Sequence, residues 1–202
     1  MDFMDLSKKM KEYIITIMGP TAVGKTDLSI ELAKALNAEI ISVDSRQVYR
    51  YMDIGTAKPN LKQRSEVPHH LIDIILPTEN YTVGRFKKDA GELIEQILKR
   101  GKRPLLVGGT GLYFRSILEG YALPEAPVNY QLREKLKKKA EIYGNSFLYD
   151  KLKQIDALSA ERIHPNDLMR IIRALEIFEI TGKPISQWQK KNENIPWVAV
   201  NI

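Results

Sequence analysis

Residues Tyr13–Thr26 read YIITIMGPTAVGKT, and this stretch decides the fold. Tyr13–Met18 is a short apolar, β-branched run closed by Gly-Pro, which predicts a strand buried on both faces. Thr26 opens a helical pattern that sets Leu28, Leu32 and Leu36 on one face. Glu39–Val43 (EIISV) reads as a second buried strand. Strand, helix and strand within about 30 residues make a βαβ unit, hence a right-handed parallel pair.

Between strand and helix, Gly19-Pro20-Thr21-Ala22-Val23-Gly24-Lys25-Thr26 matches G-x-x-x-x-G-K-[ST], in the context the motif requires. Gly19 and Gly24 let the N–H groups of the loop, through Thr21, Ala22 and Val23, converge on phosphate oxygens. The helix N-terminus adds partial positive charge. Lys25 brings a full charge to the terminal phosphates, and the Thr26 hydroxyl can hold Mg²⁺, which arrives with the phosphates. A glycine-rich turn that only tightens the junction would not need the lysine and the hydroxyl.

The motif leaves the phosphate ligand open. Nucleotide kinases are common bearers of this loop, so they set the starting expectation. Against them, the strand expected at Pro104–Val107 runs into Gly108-Gly109 with no acidic residue where a Walker-B aspartate belongs. A P-loop module that binds without catalysing is a third reading. Asp44 follows the second strand at its carboxyl end, the edge where ligands sit in open α/β sheets. From position alone it can act as a general base, hold Mg²⁺ through water, or cap the next turn. Gln47 can read a base edge or be an ordinary surface amide.

Further along, 51–68 is polar and broken by Gly55, Pro59 and Pro68, as a loop or mixed segment. Leu71–Ile75 is a candidate short strand. Thr82 caps a helix with Val83, Phe86, Ala90, Leu93, Ile94 and Ile97 on one stripe, closed by Gly101. A strand at Pro104–Val107 and a short helix to Leu118 follow. Beyond Gly120, Asn129–Tyr143, Phe147–Gln154 and Leu168–Ile180 all read as amphipathic helices. In the last of these Arg170 and Arg173 oppose the apolar side, and Gly182 and Pro184 stop it. Pro196–Ile202 looks like a strand returning to the sheet. The expected fold is therefore α/β: a P-loop NTPase-like parallel sheet flanked by helices, 11–120 with 196–202, and an inserted all-helical subdomain, 121–195.

The composition of the 202 residues, 44% apolar and 28% charged, fits a soluble globular protein, and no apolar run is long enough to span a bilayer. The start, MDFMDLSKKM, lacks an apolar core and reads as a frayed leader or short helix, not a signal peptide. The absence of cysteine excludes disulfides and fits a reducing cytoplasm. A net charge of +6 suits polyanionic partners or a solvated basic surface, and 121–195 includes the run Lys137-Lys138-Lys139. His69, His70 and His164 lack metal-ligand spacing and read as structural.

Six segments in series carry a resemblance: Gly19–Thr26 (GPTAVGKT), Asp44–Tyr49 (DSRQVY), Met52–Pro59 (MDIGTAKP), Pro68–Asp73 (PHHLID), Leu106–Tyr113 (LVGGTGLY) and Arg162–Glu176 (RIHPNDLMRIIRALE). In this order the chain resembles the bacterial tRNA dimethylallyltransferases, the tRNA isopentenyltransferase family. The resemblance implies transfer of a dimethylallyl group from dimethylallyl diphosphate to N6 of an adenine beside the anticodon, by a cytoplasmic monomer. It implies that Asp44 is the base on N6 and that Thr110 lies near the reaction channel. The P-loop, notably Thr21, Lys25 and Thr26, would hold diphosphate and Mg²⁺. Asp44, Ser45, Arg46 and Gln47, with Met169, Arg170 and Arg173, would contact the tRNA anticodon stem-loop, making 121–195 a tRNA-binding subdomain. Two departures stand out. Family members continue past the last strand with further helices, one bearing a diphosphate-binding arginine, so the chain reads as a C-terminally truncated fragment. Met169 stands where the family often has glutamine.

Overall fold

The computed structural model describes residues 12–120, 122, 124, 126–188 and 197–201. The leader 1–11 therefore lies outside the described residues. Two compact units emerge, one formed by 1–120 with 192–202 and the other by 121–191.

The first unit is a five-stranded sheet of β1 (Glu12–Met18), β2 (Ala38–Val43), β3 (His69–His70), β4 (Arg103–Gly108) and β5 (Trp197–Asn201). Their order is β3-β2-β4-β1-β5, and every neighbouring pair is parallel. Strands covered on both faces must be apolar almost throughout, and Ile14, Ile15 and Ile17 of β1 and all six residues of β2 are buried. The helices are α1 (Lys25–Leu36), α2 (Leu61–Glu66), α3 (Val83–Lys99) and α4 (Gly111–Leu118). The α3 stripe buries Phe86, Ala90, Ile94 and Ile97, and the Thr82 hydroxyl accepts from the Arg85 N–H as its N-cap.

Two local readings are corrected. The buried face of α1 is Ser29, Ile30 and Ala33, while Leu28 is exposed and Leu32 and Leu36 lie at the margin. Small residues let the helix that carries the P-loop sit close to the sheet. The strand expected at Leu71–Ile75 forms instead at His69–His70, with one isolated bridge between Tyr49 and Ile75. Leu71 and Asp73 adopt φ of 60° and 56°, which breaks extended pairing, so burial explains the apolar run. The segment 51–68 is mixed: it contains α2, started by a reciprocal capping box of Asn60 and Gln63.

The second unit is helical: α5 (Tyr130–Tyr143), α6 (Asn145–Ile155), α7 (Ala157–Arg162), α8 (Leu168–Thr181) and α9 (Ile185–Trp188). Leu136, Leu148, Leu152, Ile171 and Leu175 make its core. Gly182 ends α8 in the left-handed conformation that helix termini favour, with φ of 69°. Buried Asp156 caps α7 through the Ser159 N–H at 3.0 Å and accepts from the Ser186 N–H at 3.0 Å, tying α9 to α7.

Candidate active site

The carboxyl ends of β1, β4 and β2 lie side by side, and the loops leaving them are laced together. The Gly19 N–H donates to the Gly108 carbonyl at 3.3 Å and the Thr110 N–H to the Val43 carbonyl at 3.2 Å. A Cβ on Gly108 would stand 2.1 Å from the Val43 oxygen, so only glycine permits this approach of β4 to β2. The Thr110 side chain, at the N-cap of α4, does not cap its own helix. Its Oγ1 accepts from the Ser45 N–H at 3.1 Å, pinning the turn after β2.

In the P-loop, Ala22 and Gly24 adopt φ of 68° and 87°, a left-handed pattern that turns successive N–H groups towards one side. No side chain caps the N-terminus of α1, whose first residue is Lys25. The Lys25 ammonium donates to the Pro20 carbonyl within the loop. These residues face a cavity of about 220 Å³ lined by Thr21, Ala22, Gly24, Lys25, Thr26 and Asp44 among others. Gly19 and Val23 do not line it: Gly19 serves the loop–sheet junction and Val23 is exposed. Gln47, Thr56, Ala57 and Pro59 line the cavity as well, and Ile40 and Ile72 also face the space.

Asp44 does two things. Its Oδ1 accepts from the N–H groups of Arg46 at 2.8 Å and Gln47 at 3.3 Å, so it caps the turn that follows. The carboxylate also faces the cavity that Lys25 and Thr26 face. Capping with one oxygen fixes the orientation of the other. Gln47 is not a free reader of base edges. Its Oε1 accepts from Ser42 at 2.9 Å, and its Nε2 donates to the carbonyls of Thr56 and Ala57 at 3.2 and 3.1 Å. Both ends of the amide are spent inside the fold. Ser45 and Arg46 lie outside the cavity lining, with Arg46 exposed.

Tyr113 escaped the sequence reading as a site neighbour, although it ends the Leu106–Tyr113 segment. Its ring stacks on Phe86 with centroids 4.2 Å apart. Burial pushes its hydroxyl up to about 12, and the Tyr49 phenol and Asp44 carboxylate add to the effect. Among the histidines, the His69 Nδ1 bonds the Val67 carbonyl at 2.8 Å, the His70 Nε2 bonds Glu39 at 2.7 Å, and the His164 Nδ1 accepts from the Asn166 N–H at 3.2 Å. His69 also lines the cavity. Among the described residues no group of three or more His, Cys, Asp or Glu side chains could hold a metal ion by itself. A divalent cation here would rest on Thr26 and take its remaining oxygens from phosphate and water.

In the helical unit, Met169 and Arg170 are exposed, whereas Arg173 is committed. Its guanidinium donates to Glu176 at 2.6 Å and to the Ala126 carbonyl at 3.2 Å. Arg133 holds the same buried Glu176 carboxylate with two bonds of 2.9 and 2.8 Å, and the Asn129 N–H adds a fourth. Burial alone would raise the Glu176 carboxyl; Arg133, Arg173 and the Asn129 N–H outweigh it and hold it below its usual range.

A parallel sheet with this loop at its first strand–helix junction defines a P-loop NTPase-like protein. Two family models match, overlapping at 47–69: IPP transferase over residues 47–202 and isopentenyl transferase over residues 12–69. The chain belongs to the IPP transferase family. It is 51% identical over 177 residues to the tRNA dimethylallyltransferase of Caldanaerobacter subterraneus subsp. tengcongensis, spanning 88% of this chain and 56% of that protein. To the Carboxydothermus hydrogenoformans tRNA dimethylallyltransferase it is 52% identical over 188 residues, 93% of this chain and 60% of the relative. Among solved structures, the full-length tRNA isopentenylpyrophosphate transferase of Bacillus halodurans is 48% identical with a TM-score of 0.55, covering 86% of this chain and 57% of that one. A eukaryotic dimethylallyltransferase acting on tRNA is 34% identical with a TM-score of 0.77, covering 94% of this chain and 47% of that one. The chain thus spans little more than half the length of the curated relatives it matches.

Proposed function

We propose that this chain carries the donor site and catalytic base of a tRNA dimethylallyltransferase. The observation that carries the reading is the shared cavity: Lys25 and Thr26 of an anion cradle face the same space as the Asp44 carboxylate. Dimethylallyl diphosphate would place its diphosphate on the N–H groups around Thr21–Thr26 and its C1 towards Asp44. An exocyclic adenine amine is a poor nucleophile; Asp44 would accept the N6 proton as the N6–C1 bond forms. The C1–O bond breaks with its electron pair leaving on diphosphate, whose charge the cradle and Lys25 neutralise. Mg²⁺ at Thr26, when bound, adds further charge neutralisation on the diphosphate oxygens.

The adenine must leave its stack to reach the cavity, and an anticodon-loop base pays least for that. Thr110 would act by holding the Ser45 N–H and so the Asp44 turn. Ser45 and Arg46, outside the cavity, and the exposed Met169 and Arg170 would meet the RNA, with 121–195 as the tRNA-binding subdomain. The protein would act as a monomer in the cytoplasm; no helix among the described residues is long and apolar enough to cross a membrane.

The test is mass gain on an anticodon stem-loop, with this chain and a C-terminally extended version. The expected gain requires dimethylallyl diphosphate and disappears in Asp44→Ala, while inorganic diphosphate still binds. ATP turnover with ADP release and no prenyl transfer by either version would instead favour a kinase.

A further inference from the structure

The loop that brings Thr56, Ala57 and Pro59 to the cavity is held by a buried ammonium group. The Lys58 side chain is only 4% exposed, and its three N–H bonds are all taken: Asp53 at 2.6 Å, Asp73 at 2.6 Å and the Tyr49 carbonyl at 3.0 Å. Asp73 is held in turn by Arg64 of α2 at 2.6 Å, and its carbonyl accepts from the Arg50 side chain at 3.0 Å. Tyr51 and Ala57, on either side of this knot, adopt φ of 65° and 49°. Non-glycine residues stay in that region only when their surroundings over-determine it, and such strain gathers at functional sites.

What the knot positions is readable from the hydrogen bonds. Ala57, next to Lys58, offers its carbonyl to the Gln47 amide, as does Thr56. The other end of that amide is held by Ser42 of β2, and the Gln47 N–H is one of the two donors that fix Asp44 Oδ1. A continuous path therefore runs from the Lys58 ammonium through the 53–58 loop and the Gln47 side chain to the turn presenting Asp44. We propose that Lys58 is a positioning residue: by closing the 51–59 loop onto Gln47 it sets the Asp44 carboxylate against the anion cradle. The inference rests on the proposed reaction for its effect on rate, but not for its effect on geometry.

The geometric effect is read by amide hydrogen exchange on this chain. In Lys58→Met, exchange at the Arg46 and Gln47 N–H groups should speed up about tenfold at temperatures where the variant stays folded. That factor reflects loss of about one well-formed hydrogen bond's worth of closure. Gln47→Leu should do the same, and the double variant should exceed the larger single change by less than twofold, roughly, because both act on one path. Lys58→Arg should restore most of the protection. If Lys58→Met does not fold, Asp53→Asn, which alters the most exposed partner of the knot, should give a smaller rise at the same two amides. Unchanged exchange at Arg46 and Gln47 in a folded variant overturns the proposal, as does a fully additive double variant. Inorganic diphosphate binding should stay within about twofold of wild type, and prenyl transfer should fall by up to about a hundredfold, the scale of a misplaced catalytic group. Loss of protection in Lys58→Met, with no prenyl transfer by either the wild-type chain or its C-terminally extended version, would sink the reaction and leave the positioning intact.

Discussion

Among the described residues each unit buries one carboxylate among cations, and the two use it differently. In the sheet unit Glu39, at the start of β2, receives His70 at 2.7 Å, Arg100 at 2.8 Å and Lys102 at 3.1 Å, while Asp44, just past the end of the same strand, faces the cavity. Scaffold electrostatics and site chemistry therefore sit at opposite ends of one strand. In the helical unit Glu176 draws Arg133 and Arg173 onto α8, the helix that also displays Met169 and Arg170. There scaffold and candidate contact surface share a helix, three residues apart. Mutations should separate cleanly into stability and activity in the first unit, and separate in the second only residue by residue.

The largest expected effect strikes where the sheet unit keeps the two apart. Gly108→Ala drives a methyl group into the Val43 carbonyl at 2.1 Å, contact with backbone that no rotamer relieves. The strand must move, at a cost of about 3 kcal/mol or more. Because Gly108 also receives the P-loop through the Gly19 N–H, diphosphate binding should fail together with the melting temperature. A variant of unchanged melting temperature would show that β4 and β2 are not locked together at this point.

The acid limb comes next. Burial would raise the Glu39 carboxyl, but hydrogen bonds from His70, Lys102 and Arg100 outweigh it and hold the group at about 2, against 4.5 when unperturbed. A depressed carboxyl stabilises fully above its unfolded value, and that contribution drains away as pH falls from about 4.5 towards about 2. At neutral pH it amounts to something on the order of 3 kcal/mol. Urea unfolding followed across that window should show the loss in wild type. Glu39→Gln should be weaker at pH 7 and should lose less stability through the same window, since one of the depressed carboxylates that titrate there is gone. Equal acid slopes in the two proteins would remove Glu39 from the account.

What was legible in the sequence follows the range of the forces involved. The P-loop was readable because its chemistry is local: eight consecutive residues, their glycines and the helix they open. Asp44 was readable as a position, and its capping role was among the alternatives, but the choice needed the Arg46 and Gln47 N–H groups in place. Gln47 was legible only as a pair of alternatives because its partners, the Thr56 and Ala57 carbonyls, meet it only when the loop closes. The capping box that starts α2, Asn60 with Gln63, was present as a local signal in a stretch read as a loop or mixed segment. Arg173 was half legible: Glu176 lies at i+3, the spacing of a helical ion pair, but Arg133 comes from 43 residues away.

That last pair gives the smallest and most discriminating expectation. Arg170 is 72% exposed along its side chain and reaches only Asp167, at 3.3 Å; a pair so open to water contributes little to stability. Arg173 shares a carboxylate of zero exposure with Arg133. If α8 meets an RNA backbone, Arg170→Ala should weaken binding of the anticodon stem-loop a few-fold. It should also flatten the salt dependence by about one unit of slope, with the melting temperature unchanged. Arg173→Ala should do the reverse: the melting temperature falls, because a buried carboxylate loses one of its two arginines, while the salt slope stays near that of wild type. Should Arg173→Ala flatten the slope as much as Arg170→Ala, its guanidinium must turn from Glu176 to phosphate when RNA arrives. The buried Glu176 would then be left to Arg133 and the Asn129 N–H alone, making α8 a helix that trades internal pairing for ligand contact.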